Sequence, residues 1–361
     1  RIDSWITRGV CKQRVIELPP ESDVSVADVL DRYGTVTRSA MQSWLPQGEP
    51  REYLYNLVAD YPSRGGRMFR PSICVAAGRV FGATVEQLLP AAVCIELIHN
   101  ALLIHDDIED ESEERRGKPT LHHMVGTALA LNAGDSLAFL SLRPILQARN
   151  LLGPSIVLRI LEEFDQMAQH TAEGQALDLG WRQDNRVDLC EEDYLEMVLK
   201  KTCWLTTLFP LRIGALIGSR DSVDLDSFFR FGFFLGAAFQ IQDDVLNLVG
   251  NHDQYGKEMA GDLHEGKRTL MLVRLLEVSS DSDRDRVEAI LATPRDEREQ
   301  GAVQWLRSEM VKKGCIDYAR ELAHGLAGAA SYEFDQVFSH FSDSRDKQFL
   351  SRLPNWVIER S

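Results

Sequence analysis

Three aspartates, Asp106, Asp107 and Asp110, close an apolar run within residues 97–117 (LIHNALLIHDDIEDESEERRG), and Arg115 and Arg116 follow within two turns. On a helix, positions four apart project on the same side, so Asp106 and Asp110 are held where their mutual repulsion calls for a cation. Hard carboxylate oxygens with no sulfur or paired imidazole beside them suit Mg²⁺ rather than zinc. Mg²⁺ held by one or two carboxylates commonly carries a phosphate, and the two arginines would add anion contacts. Packing gives little reason for this set, because negative charge at a helix C-terminus also opposes the helix dipole.

Other polar groups interrupt apolar sequence at helical spacing. In residues 63–71 (SRGGRMFRP), Gly65 and Gly66 let the chain turn, and Arg67 and Arg70 stand three apart at a helix start, where an anion is already favoured. The same pair equally fits two solvated arginines. His99 shares a stripe with Leu88, Ala92, Ile95, Leu102, Asp106 and Asp110; a lone histidine there is either a satisfied core residue or a ligand group. Gln175 and Asp178 break one apolar run, and Lys201 and Thr202 precede another (CWLTTLFP). A buried lysine needs an anion partner, so Lys201 sits either in an ion pair or against a ligand.

Residues 239–247 (FQIQDDVLN) repeat the theme: Gln240, Asp243 or Asp244, and Asn247 crown a face that carries Gly232 and Gly236 below. Two glycines on one helix face imply close packing or room for a ligand. Residues 251–269 then form a glycine-punctuated loop with Lys257, Lys267 and Arg268, which beside a diphosphate site could act as a lid and by itself would be a solvated loop.

The elements that must position these groups are helices. From Ser25 onward the pattern is helical almost throughout, broken at Pro46, Pro50, Pro62, Gly82, Pro119, Pro154, Gly180 and Gly250, with almost no strand-like alternation. This predicts an all-α bundle, including long helices over residues 85–110, 121–151 and 155–179. Residues 1–24 lack periodicity and carry Pro19 and Pro20, so they form an N-terminal extension with no assigned function; residues 25–361 form one all-α domain, because no Pro/Gly/Ser-rich linker divides them. The net charge of −15 speaks against a nucleic-acid partner. No window of about 18 uninterrupted apolar residues predicts a membrane span. Cys11, Cys74, Cys94, Cys190, Cys203 and Cys315 show no regular spacing, which fits a reduced, cytoplasmic protein. The sequence starts at Arg1 rather than Met without a signal-peptide pattern, and reads as a trimmed or partial product.

Two aspartate-rich helix ends, arginine pairs and separated lysines describe an acidic, metal-bridging mouth over apolar walls, suited to a diphosphate head with a hydrocarbon tail. In this order the motifs resemble the trans-prenyl diphosphate synthases, or polyprenyl synthetases: GGRMFRP, LIHDDIEDESEERRG, GDSL (residues 134–137), KT (Lys201, Thr202) and FQIQDDVLN. The resemblance implies the isoprenoid synthase fold, a helical bundle around a central cavity, usually as a homodimer. It implies head-to-tail condensation of isopentenyl diphosphate with an allylic diphosphate. Mg²⁺ would bridge Asp106, Asp110 and Asp243 to the allylic diphosphate, with Asp107, Asp244 and Asn247 as further ligands or supports. Arg115, Lys201, Lys257 and Lys267 would hold the same leaving group. Arg67, Arg70, His99 and Arg116 would bind isopentenyl diphosphate, and Thr202 and Gln240 would steady the developing allylic cation.

Two positions depart from the family pattern. Arg67 stands where lysine is common, which changes geometry but not charge. Asn247 replaces the last aspartate of the second motif, and one fewer negative charge would weaken a metal site. Residues four and five places before the first aspartate, Leu102 and Ala101, help floor the family's pocket; neither is aromatic, so a product longer than fifteen carbons is expected, geranylgeranyl diphosphate first. A class I terpene cyclase shares the fold but has no need of an isopentenyl diphosphate site. A non-catalytic partner subunit would be expected to have lost aspartates, and nearly all are kept here.

Overall fold

The computed structural model describes residues 25–249 and 260–360. The bundle is organised around α4 (Val85–Glu109), which follows α1 (Val26–Trp44), α2 (Asn56–Ser63) and α3 (Phe69–Val80). A reciprocal cap starts α4: the Thr84 hydroxyl accepts from Gln87 N–H, and the Gln87 side chain accepts from Thr84 N–H. Its apolar residues surround the whole helix rather than one stripe, which suits a helix packed on all sides. Val85–Glu109 is long and apolar enough to cross a membrane by length and composition, contrary to the expectation from uninterrupted runs, and 67% of its most apolar window is buried inside the protein.

Beyond α4, Glu114–Arg115 and Lys118–Pro119 pair as a two-residue antiparallel hairpin, the only strand pairing among the described residues. Its tight turn uses left-handed Arg116 and Gly117, and it folds Arg115 back toward α4. The single helix expected over 121–151 is instead four pieces, α5 (Leu121–Val125), α6 (Thr127–Ser141), α7 (Arg143–Gln147) and α8 (Arg149–Leu152). Gly126, at φ +85°, leaves the helical region, and Pro144 removes a backbone donor. The next helix, α9, runs unbroken over Pro154–Gln183 with proline at its first position, where the lost N–H costs nothing. Gly180 lies inside α9, and Pro62 lies inside α2, so neither ends a helix as expected.

After α10 (Glu191–Val198) the chain widens to a π-helix over Leu199–Leu208 before α11 (Phe209–Ser219). Helix α12 (Phe229–Val249) carries the second acidic motif, and α13 (Gly261–Glu265) the end of the following loop. The last elements are α14 (Leu270–Val278), α15 (Asp281–Ala292), α16 (Gln300–Lys312), α17 (Cys315–Phe338) and α18 (Arg345–Glu359). Helices α3, α4, α9, α12 and the π-helix surround one apolar-walled cavity, and a connected core of Val, Leu, Ile, Phe and Met packs behind them.

Candidate active site

A cavity of about 840 Å³ opens between α4, α9, the π-helix and α12. Its mouth is charged and its depth apolar. Asp106, Arg115, Arg116, Asp178, Lys201, Gln240, Asp243, Asp244 and Lys267 line the upper part, and Ile98, Leu102, Leu103, Met167 and Leu205 line the lower part.

Helix geometry brings the first motif to this mouth. Asp106 lies 3.4 Å from Lys201 Nζ and 3.6 Å from Arg115 Nη2. Asp110, one turn on, meets Arg182 Nη2 and Lys267 Nζ, both at 2.7 Å. It lines a smaller adjoining cleft rather than the main cavity. Burial, then repulsion from Asp106, pushes the Asp110 carboxyl up, against the pull of Lys267.

Asp107 behaves differently from its neighbour. It points into the protein, fully buried, where Arg115 Nε donates to both carboxylate oxygens at 3.0 and 3.1 Å and the Tyr61 hydroxyl also donates. Of the two roles left open for Asp107, ligand or support, the geometry gives the second: it holds Arg115, which approaches Asp106. Helical spacing is the reason, since adjacent residues diverge by about 100°.

The Lys201 alternatives resolve as an ion pair at the cavity surface. Its Nζ lies 2.6 Å from Asp178 Oδ2. Burial opposes the lysine charge, but Asp178 and Asp106 hold its pKa above the ordinary range. The approach is possible because Gly174 of α9 touches the π-helix backbone; a Cβ there would sit 2.1 Å from Lys201 N. The wide turn aims Lys201 and Thr202 together into the cavity, a placement common for π-bulges. Thr202 Oγ1 donates to Gln240 Oε1 at 2.8 Å, and Gln240 Nε2 donates to Asp244 Oδ1 at 2.7 Å. The Tyr194 hydroxyl closes the chain on Asp244 Oδ2 at 2.8 Å. Burial pushes the Asp244 carboxyl up to about 8, with Asp262 the next cause.

Gly232 and Gly236 serve packing rather than ligand room. A Cβ on Gly236 would meet Thr207 Oγ1 at 2.7 Å and Cys203 Sγ at 2.8 Å, and one on Gly232 would meet Leu208. Asn247 is likewise turned from the cavity: its Oδ1 accepts from Asp262 N–H at 3.2 Å. It anchors the returning loop, which corrects its assignment to the metal or substrate set. Asp243 faces the mouth and lies 3.0 Å from Arg360 Nη2.

On the opposite side, Arg67, Arg70, His99 and Arg116 converge on the cavity. Arg70 Nη1 lies 3.3 Å from His99 Nε2. Because arginine can only donate, His99 accepts through Nε2 and carries its proton on Nδ1. Burial, then Arg70 and Arg116, drives the His99 pKa well below its ordinary value, so it is neutral. Burial also lowers Arg70 to about 10, and its Nε is buried with no hydrogen-bond partner. An orphaned buried guanidinium nitrogen beside a cavity fits an incoming anion.

Ala101 is corrected too: it is buried on the back of α4 and only Leu102 of that pair lines the cavity. Lys257 lies outside the described residues. Sequence reasoning missed Asp262, which lines the mouth within the quoted loop, and Tyr194 and Arg360, which reach the site only through tertiary packing.

Oxygen donors fit Mg²⁺ here. Among the described residues no three His, Cys, Asp or Glu side chains form a ready-made cage. Asp106 and Asp243 present carboxylates across one mouth, and Mg²⁺ typically takes one or two carboxylates and completes its shell with phosphate and water.

This cavity, with acidic helix ends above and apolar walls below, defines a diphosphate-handling helical enzyme. The chain belongs to the polyprenyl synthetase family, whose model matches residues 51–310. It is 33% identical over 307 residues to a geranylgeranyl diphosphate synthase of Sulfolobus acidocaldarius, covering 85% of this chain and 91% of the relative. It is 30% identical over 337 residues to a short chain isoprenyl diphosphate synthase of Methanothermobacter thermautotrophicus, covering 93% and 99%. The structure matches that of geranylgeranyl pyrophosphate synthetase from Pyrococcus horikoshii with a TM-score of 0.81 and 30% identity, over 92% of this chain and 99% of the other.

Proposed function

We propose that the protein is a Mg²⁺-dependent prenyltransferase that condenses isopentenyl diphosphate with an allylic diphosphate, giving geranylgeranyl diphosphate as its main product. The observation that carries this reading is the pair of cationic sets facing one apolar-walled cavity. Arg67, Arg70, His99 and Arg116 stand on one side, and Arg115, Lys201 and Lys267 with Asp106 and Asp243 on the other. One diphosphate substrate would need only one such set.

Asp106 and Asp243, with Asp110 close by, would hold Mg²⁺, which when bound would supply positive charge favouring departure of the diphosphate. Lys201, Lys267 and Arg115 are already oriented where that negative charge develops, which stabilises it without reorganisation. The Thr202–Gln240–Asp244–Tyr194 chain fixes polar oxygens beside the allylic carbon, and the apolar walls exclude water that would quench the cation. The allylic C–O bond breaks with its electron pair on diphosphate, the isopentenyl π pair forms the new C–C bond, and the proton lost afterwards passes to the released diphosphate.

Among the described residues, six of the eleven exposed large apolar side chains, Met124, Leu131, Phe139, Leu146, Leu151 and Leu158, fall between residues 124 and 158, which supports a homodimer through this segment. The five cysteines among the described residues are unbridged, which supports a reducing, cytoplasmic setting, and the burial of α4 supports a protein without a membrane span. Residues 25–361 form one catalytic unit in this reading.

Incubation with Mg²⁺, isopentenyl diphosphate and, separately, dimethylallyl, geranyl and farnesyl diphosphates tests this reading. A longer linear prenyl diphosphate is expected. A hydrocarbon or alcohol formed without isopentenyl diphosphate would make the chain a class I cyclase, and no turnover by folded protein would make it a partner subunit.

A further inference from the structure

We infer that Met167 closes the hydrocarbon end of the cavity and sets the length of the product, an inference that rests on the elongation reading above. Helix α9 presents Asp178, Gln175, Thr171 and Met167 to the cavity at spacings of three and four, so one stripe runs from charged mouth to apolar depth. Open space persists beside Ala168 and Ala172. Met167 is the cavity-lining residue of α9 farthest from Asp178, and it has no accessible surface of its own. The Thr171 hydroxyl, one turn along the same face of α9, donates to the Met167 sulfur at 3.6 Å and holds the thioether on that stripe.

Depth agrees with product size. Asp178, paired with Lys201 at the diphosphate end, stands eleven residues above Met167, which at 1.5 Å per residue is about 16 Å. A prenyl chain advances roughly 5 Å per five-carbon unit from ordinary C–C bond lengths. The channel therefore holds about three units below the reacting carbons, and a fourth at the mouth completes a twenty-carbon product.

What lies below Met167 limits further growth. Phe164 stands one turn down in edge contact with Phe209, with ring centroids 6.0 Å apart. On the same face, Glu163 is buried against Arg212, whose Nε and Nη2 lie 2.6 and 2.9 Å from the two carboxylate oxygens. A hydrocarbon tail would have to desolvate that pair to pass. Removing the Met167 side chain thus opens space for about one unit rather than an endless tunnel.

The test is product analysis, by reversed-phase separation of dephosphorylated prenols, for Met167→Leu, Met167→Val, Met167→Ala and Met167→Phe. Leu and Val keep most of the volume and so cover the case in which Ala or Phe fails to fold; thermal unfolding identifies folded variants. The expected result is a graded shift toward longer product from Leu through Val to Ala, reaching one five-carbon unit, and a shift of one unit shorter for Phe. The KM for isopentenyl diphosphate should stay within about twofold, because Met167 is apolar and the cationic set of Arg67, Arg70 and Arg116 is left intact. Unchanged product length in the folded variants, or a length that follows Leu102→Phe and Leu102→Ala instead, would overturn the assignment. Absence of elongation by the parent protein would sink the elongation reading itself, a result distinct from these.

Discussion

Asp106→Asn and Asp107→Asn make the same atom exchange at adjacent positions, and the structure gives them opposite outcomes. Asp107 is 0% exposed and its partner Arg115 8% exposed, with the guanidinium bonded to both carboxylate oxygens. Breaking a buried pair by neutralising one member leaves the other charge uncompensated, at about 3–5 kcal/mol. Asp106 remains 3.6 Å from Arg115 and offsets part of this, so Asp107→Asn should lose about 3 kcal/mol. Asp106 is 24% exposed and shares its cations: Lys201 keeps Asp178, and Arg115 keeps Asp107. Asp106→Asn should therefore change stability by less than about 1 kcal/mol. It removes a carboxylate facing the developing diphosphate charge and its metal, so kcat should fall by about a hundredfold or more. Urea unfolding at a shared m-value gives the first quantity and product formation at saturating Mg²⁺ the second. Equal stability losses in the two variants, or the larger loss in Asp106→Asn, would refute the division of labour drawn between these residues.

Asn247→Asp restores the acidic residue usual in the second motif, yet Asn247 contacts the Asp262 backbone and not the cavity. Titration with Mn²⁺ as a paramagnetic stand-in should show an affinity within about threefold of the parent, and stability should drop by about 1–3 kcal/mol from the new buried charge; a tenfold tightening would return Asn247 to the metal set. Glu96, buried beside Arg70 and Arg116 and bonded by Asn100 Nδ2 at 3.0 Å, has its carboxyl pushed up by burial despite those arginines. The folded protein then keeps a proton that the unfolded chain releases, so stability should decline as pH rises from the ordinary carboxylate range of 4.5 through the raised value. In Glu96→Gln that part of the slope should vanish in unfolding measurements across pH 4 to 8.

The helices carrying both acidic motifs were legible because period and burial agree locally. The stripe from Leu88 to Asp110 becomes α4, and the polar crown on residues 239–247 becomes the mouth-facing end of α12. Motif order was sufficient to name the family. Breaks were less legible: Gly126 and Pro144 divide what apolar periodicity reads as one helix, whereas Gly180 and Pro62 are absorbed into helices by the packing around them. The cavity's second cationic set was visible only as alternatives, since spacing cannot tell a solvated arginine from a buried one.

By itself the sequence determined which residues could share a helix face, the all-α class, and the acidic and basic groups that could handle diphosphates. It could not distinguish Asp106 from Asp107, because that depends on which side of α4 meets Tyr61 and Arg115. Nor could it show that Asn247 holds a backbone, that Ala101 faces away from the channel, or that Arg360 reaches Asp243 across 117 positions of chain. Local pattern records each residue's periodicity and chemistry. Partner, direction and depth arise only when distant helices pack, and that packing turned the two motifs into one cavity with a floor.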